Sequence, residues 1–149
     1  YMRFFYDSFG NPARCTVRVS EGIMTGLWLE PEKAEGYASV LREVVANVPA
    51  GAKLLGLDFL AYDSFLHDSV VCAPTPWIND VGDEQNRIFY EKNPNLVPEY
   101  VFIAQEKTGF SNRADTSAES LPEGYIKEML LQPGVERTET ESGTFYKLP

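Results

Sequence analysis

Between residues 31 and 48 the apolar positions recur with a helical period. Ala34, Tyr37, Ala38, Leu41, Val44, Val45 and Val48 fall on one side of a helical projection and predict an amphipathic helix with a buried stripe. Pro31 suits its first turn, and Glu30, Glu32 and Glu35 favour the positive end of the helix dipole. Pro49 and Gly51 end it. The pattern then changes. Residues 54–60 are nearly continuously apolar, which is the mark of a strand buried on both faces, with Leu54, Leu55 and Leu57 in the core. Lys53, the charge at the start of that run, is expected at the solvent edge. Residues 99–105 form a second such run. A helix followed by a buried strand implies a crossover unit with parallel pairing.

Weaker patterns fill the intervals. Residues 3–8 and 15–19 read as short strands, separated by the turn signal Gly10-Asn11-Pro12. Residues 22–29 read as a third short strand or as an extended loop. Residues 61–69 suggest a short helix, 70–72 a strand, and 83–92 a helix with Ile88 and Phe89 facing inward. Residues 107–119 are polar and predict an exposed loop. Ser120-Leu-Pro-Glu123 reads as a capping box opening a helix that turns Tyr125, Ile126, Met129 and Leu130 to the core. Residues 135–140 and 144–148 flank Ser142-Gly143, a hairpin signal. The whole predicts one α/β domain over residues 1–149: a central mixed, partly parallel sheet, flanking helices and a C-terminal β-hairpin.

Composition narrows the partners. At 149 residues the chain buries enough surface to fold without staples, and 44% hydrophobic residues is ordinary globular usage. A net charge of −9 argues against nucleic acid and against docking on anionic lipid through a basic patch, because both need clustered Lys and Arg. No apolar stretch reaches the roughly 18 residues that span a bilayer. Cys15 and Cys72 match no zinc spacing; they read as two buried thiols, with a single disulfide as the alternative.

No catalytic residue and no metal or cofactor site stands out. Gly22 and Gly26 lack the Lys-Ser/Thr ending of a phosphate loop, and no serine sits in a nucleophile elbow. Sites in open α/β sheets gather at the C-terminal ends of parallel strands, here residues 58–63 and 104–107. Asp58, Tyr62, Asp63, His67 and Trp77 are therefore the binding candidates. Asp63 and His67 would share a helix face, where a carboxylate can orient an imidazole; the alternative is a surface or capping pair. Asp58 is either a strand-end carboxylate with a raised pKa or a turn acid bonded to local amides. Trp77, in Pro74-Thr-Pro-Trp77, is either a stacking face for a sugar or cover for the core. Trp28 and Tyr6 are expected to pack in the core.

The order Tyr6-Asp7-Ser8, Gly22-x-x-x-Gly26-Leu, amphipathic helix, buried strand, Pro74-Thr-Pro-Trp77, Asn93-Pro94 and Gly143-Thr-Phe-Tyr146 resembles the C-terminal soluble domains of certain bacterial multi-pass membrane proteins. These are glycosyltransferases or related cell-envelope proteins that use lipid-linked sugars. The resemblance implies a non-catalytic extracytoplasmic domain at the cell membrane. It would bind or position a glycan acceptor for the membrane-embedded portion of the same chain. The start at Tyr1, without an initiator Met, fits a domain cut from a longer protein. The alternatives are an independent small hydrolase or transferase using Asp58, Asp63 and His67, and a protein-interaction module docking through aromatics.

Overall fold

The computed structural model describes residues 12–22, 24–57, 69–74 and 83–149. Seven strands and three α-helices follow one another among these residues: β1 (Val17–Arg18), β2 (Trp28–Leu29), α1 (Pro31–Asn47), β3 (Lys53–Leu57), β4 (Val70–Val71), α2 (Asp83–Lys92), β5 (Tyr100–Ala104), α3 (Tyr125–Leu130), β6 (Glu136–Glu139) and β7 (Gly143–Lys147). The central sheet has the order β4-β3-β5-β7-β6. β3 pairs parallel with β4 and β5, while β5–β7 and β6–β7 are antiparallel. The fold is therefore α/β with a mixed, partly parallel sheet and the terminal hairpin that residues 135–148 predict. β1 and β2 form a separate two-stranded arm.

Strand alternation divides the core into two layers. Leu54, Phe102, Ala104 and Phe145 face α1 and the arm, packing with Tyr37, Val40, Leu41 and Val44. Leu55, Leu57, Val101, Ile103 and Tyr146 face the other side, where Tyr90 of α2 and Ile126, Met129 and Leu130 of α3 cover them. The Phe102 and Phe145 rings stack at 4.5 Å. Lys53 lies at the strand entrance, half-buried, and its ammonium sits 3.4 Å from the Glu99 carboxylate. The Lys53 amide also donates to Glu99, and these contacts hold the Glu99 carboxyl below its usual range.

Four expectations need correction. The buried stripe of α1 runs through Gly36, Tyr37, Val40, Leu41 and Val44, while Val45 is 50% exposed. The helix turns Gly36 inward against the Thr108 backbone, where a Cβ would stand 1.9 Å from the carbonyl oxygen. On α2 it is Tyr90 that is buried, with Ile88 exposed; the Tyr90 hydroxyl donates to the Cys72 carbonyl at 2.6 Å. Residues 107–119 are not a free loop. Thr108, Ser111 and Ala118 are buried, and the segment is pinned to β7 by the Thr116–Thr144 hydroxyl bond (2.6 Å) and by the Ala118 amide donating to the Tyr146 hydroxyl (2.7 Å). Finally, α3 opens at Gly124 and not at Ser120. The Ser120 hydroxyl instead donates back to the Ser117 and Asp115 carbonyls, closing the turn before it.

Both cysteines are free thiols. Cys72, just past β4, is fully buried as expected and burial pushes its thiol up from 9.0 to about 11, whereas Cys15, expected buried too, is only partly so and keeps access to solvent. An aromatic disulfide reagent at pH 8 is expected to modify Cys15 in the native protein and Cys72 only after unfolding, since the thiolate is the reactive form. Native stability should also fall as pH rises from 9 toward 11, because the unfolded thiol ionises first. Equal reaction of both native thiols would contradict the burial of Cys72.

Candidate functional site

The strand ends that the sequence marks as the site-bearing edge are only partly described. Asp58, Tyr62, Asp63, His67 and Trp77 all lie outside the described residues, as do Tyr6 and the segments 3–8 and 61–68. The second strand end, residues 104–107, is described, and it opens into a cleft.

Three pieces of chain form this cleft, of about 360 Å³. The first is a polar face of α1: Glu32, Glu35, Gly36, Ser39 and Arg42 stand at spacings of three and four, so their side chains align along one edge. The second is the turn that follows β5, residues 106–109. The third is the β6–β7 turn, with Glu141 and Ser142. β5 and β7 are antiparallel, so the end of one and the start of the other meet at the same edge of the sheet. That geometry places the hairpin turn beside the β5 exit.

Gly36 sets the spacing between helix and turn. A Cβ there would stand 1.9 Å from the Thr108 carbonyl oxygen, so only glycine lets the two backbones come this close. The turn itself is held by the Thr108 hydroxyl, which donates to the Gln105 carbonyl at 2.8 Å, and by Gly109 in the left-handed region. Glu43 ties the hairpin to the helix, accepting from the Thr140 hydroxyl (2.7 Å) and the Ser142 amide (3.0 Å). The Ser39 and Ser142 hydroxyls meet at 2.8 Å across the floor. At the rim Lys107 lies 3.7 Å from Glu141, both solvated, a contact of little energetic weight. No ion pair joins Arg42 to a carboxylate among the described residues.

The cleft thus offers carboxylate acceptors, hydroxyls that both donate and accept, and cationic donors, on a rigid frame. It can hold a hydroxyl-rich molecule by hydrogen bonds. The described residues include no histidine and no group of three or more side chains suited to a metal ion. Glu106 and Lys107 lie at the strand end that the sequence marks as site-bearing. Gly36, Ser39, Arg42 and Ser142 carry no such mark in the sequence. A glycine inside an otherwise helical pattern was the available signal, since it weakens a helix unless something packs against it.

A second, more open hollow lies at the opposite sheet edge, between residues 49–52, Tyr100 and the C-terminal residues 147–149. Trp28, expected in the core, is 48% exposed on the arm. No described helix is long and apolar enough to cross a membrane. No protein-family model, curated protein or solved structure matches the chain.

Proposed function

We propose that the chain is a non-catalytic, extracytoplasmic domain of a glycosyltransferase-like membrane protein of the cell envelope. Its role is to hold a glycan acceptor in the cleft beside α1 and present it to the membrane-embedded portion of the same protein. The observation that carries the binding half of this reading is the polar cleft at the β5 exit. Vicinal hydroxyls of a sugar pair well with carboxylates and guanidinium groups, and Glu35, Arg42 and the two serines supply both partners. The cleft is open on one side, which suits a chain passing through it and weak, local binding. The cellular half rests on the resemblance of the gapped pattern from Tyr6 to Tyr146.

Titration of the isotopically labelled chain with cell-envelope oligosaccharides, followed by NMR, tests the binding half. Amide shifts are expected to cluster at Ser39, Gly109 and Ser142. Arg42→Ala should weaken binding about fivefold, the worth of roughly 1 kcal/mol for a solvated charged hydrogen bond. Scattered shifts, or none at millimolar ligand, would overturn it. For the cellular half, the gene is expected to encode several apolar segments of about 20 residues outside this domain; a gene without them removes the membrane assignment.

A further inference from the structure

The geometry points to a second contact site, on the outer face of the β1–β2 arm, for a sugar residue that carries a carboxylate. In the antiparallel register Arg18 stands directly opposite Trp28. Directly opposed residues share a face, with Cβ atoms about 4.5–5.5 Å apart. Both side chains are exposed. The guanidinium leans toward the turn: among the described residues, and apart from the chain on either side of Gly26, a Cβ at Gly26 would meet Arg18 Nη2 alone within 4 Å, at 3.9 Å, and the missing side chain leaves that flank open.

The arm is firm despite its short strands. Its inner face buries Val19 and Met24 against α1. The Val19 amide donates to the Leu27 carbonyl and the Gly26 amide to the Val19 carbonyl, both at 2.9 Å. The Met24 amide donates to the Tyr37 hydroxyl at 3.3 Å. A large indole held half in water on such a frame is an unused stacking face.

Charge selects the ligand. In a protein of net charge −9, neighbouring acids neutralise most cations, as Glu30 does for Arg14 at 3.5 Å on this arm. No ion pair joins Arg18 to a carboxylate among the described residues. A single unpaired guanidinium beside a flat aromatic face fits a uronic acid: the ring stacks on Trp28 and the carboxylate takes two parallel hydrogen bonds from Arg18. A phosphate would bring nearly two negative charges into an acidic field against one cation, so the carboxylate is favoured. The inference takes its ligand class from the glycan reading above, but its site is separate from the cleft.

Titration with tetragalacturonate, with its neutral methyl ester and with glucose 1-phosphate tests it, using the Trp28 indole N–H signal assigned through Trp77→Phe. The acid is expected to shift that signal, and the ester to bind at least about fivefold more weakly. Arg18→Gln should erase the preference for acid over ester, and Trp28→Ala should weaken the acid about tenfold, in the lower part of the range for stacking at one face. Both substitutions are at exposed positions, and an unchanged melting temperature confirms the fold. Equal binding of acid and ester, an Arg18→Gln variant that keeps the preference, or tighter binding of the phosphate would each overturn the inference. Shifts at Ser39 and Ser142 with a silent Trp28 overturn it while leaving the cleft reading intact; a responsive Trp28 with a silent cleft supports it, and the cleft reading then stands or falls on the cell-envelope oligosaccharides alone.

Discussion

Gly36→Ala is expected to destabilise the protein by about 2–3 kcal/mol or more, the cost of forcing an extra carbon into a tightly packed contact. The sign is the informative part. Gly36 lies inside a 17-residue helix, and at an exposed helical position the same change stabilises by roughly 0.5–1 kcal/mol. Here the new Cβ would meet the Thr108 carbonyl oxygen at 1.9 Å and the Thr108 carbonyl carbon at 2.7 Å. Those are backbone atoms, so no rotamer change relieves the clash, and either α1 or the turn at residues 106–108 must move. The move would also pull apart the walls of the cleft, so the NMR shifts at Ser39 and Ser142 should weaken in the same variant. Denaturant unfolding measures the effect. A raised midpoint would show that helix and turn are not in contact, and the geometry assigned to the cleft would fall with it.

Leu55→Ala is expected to cost about 2–5 kcal/mol, the range for deleting a buried leucine. Leu55 is fully buried and pairs with Val101 on the neighbouring strand. It belongs to the layer closed by Tyr90 and the α3 residues Ile126, Met129 and Leu130. A domain of this size holds only about 5–15 kcal/mol in total, so the melting temperature should drop visibly. Val45→Ala is the matched control. The helical pattern placed Val45 on the buried stripe, yet it is half exposed, so its loss should fall within about 0.5 kcal/mol of neutral. If Val45→Ala costs as much as Leu55→Ala, the rotation of α1 described above is wrong.

The candidate site was legible only in part. The strand-end rule pointed to residues 104–107, and Glu106 and Lys107 do line the cleft. Ser39 and Arg42 belong to the polar side of α1, which in sequence looks like any solvated helix face. Ser142 looked like turn punctuation, and nothing in the order of residues says that its hydroxyl meets Ser39 from 103 positions away. The size and aromatic character of Trp28 predict a core position. Its neighbours Leu27 and Leu29 take the inner face of the arm, and strand alternation leaves Trp28 outside.

What the sequence determined by itself is what depends on near neighbours. The period of 31–47, with Pro31 at its start and Pro49 past its end, specified α1, because helical hydrogen bonds and side-chain stripes repeat within four residues. The continuous apolar runs specified β3 and β5 as central strands, because a strand buried on both faces has no polar side to show. Ser142-Gly143 specified the hairpin. Tertiary structure decided the rest. The order β4-β3-β5-β7-β6 joins segments far apart in the chain, and local patterns carry no record of which edge a strand will take. The rotation of α1 followed from the contact between Gly36 and Thr108, 72 residues on, which overrode the apolar pattern at Val45. The polar loop 107–119 was drawn onto β7 because the Tyr146 and Thr144 hydroxyls there needed partners, which Ala118 and Thr116 supply.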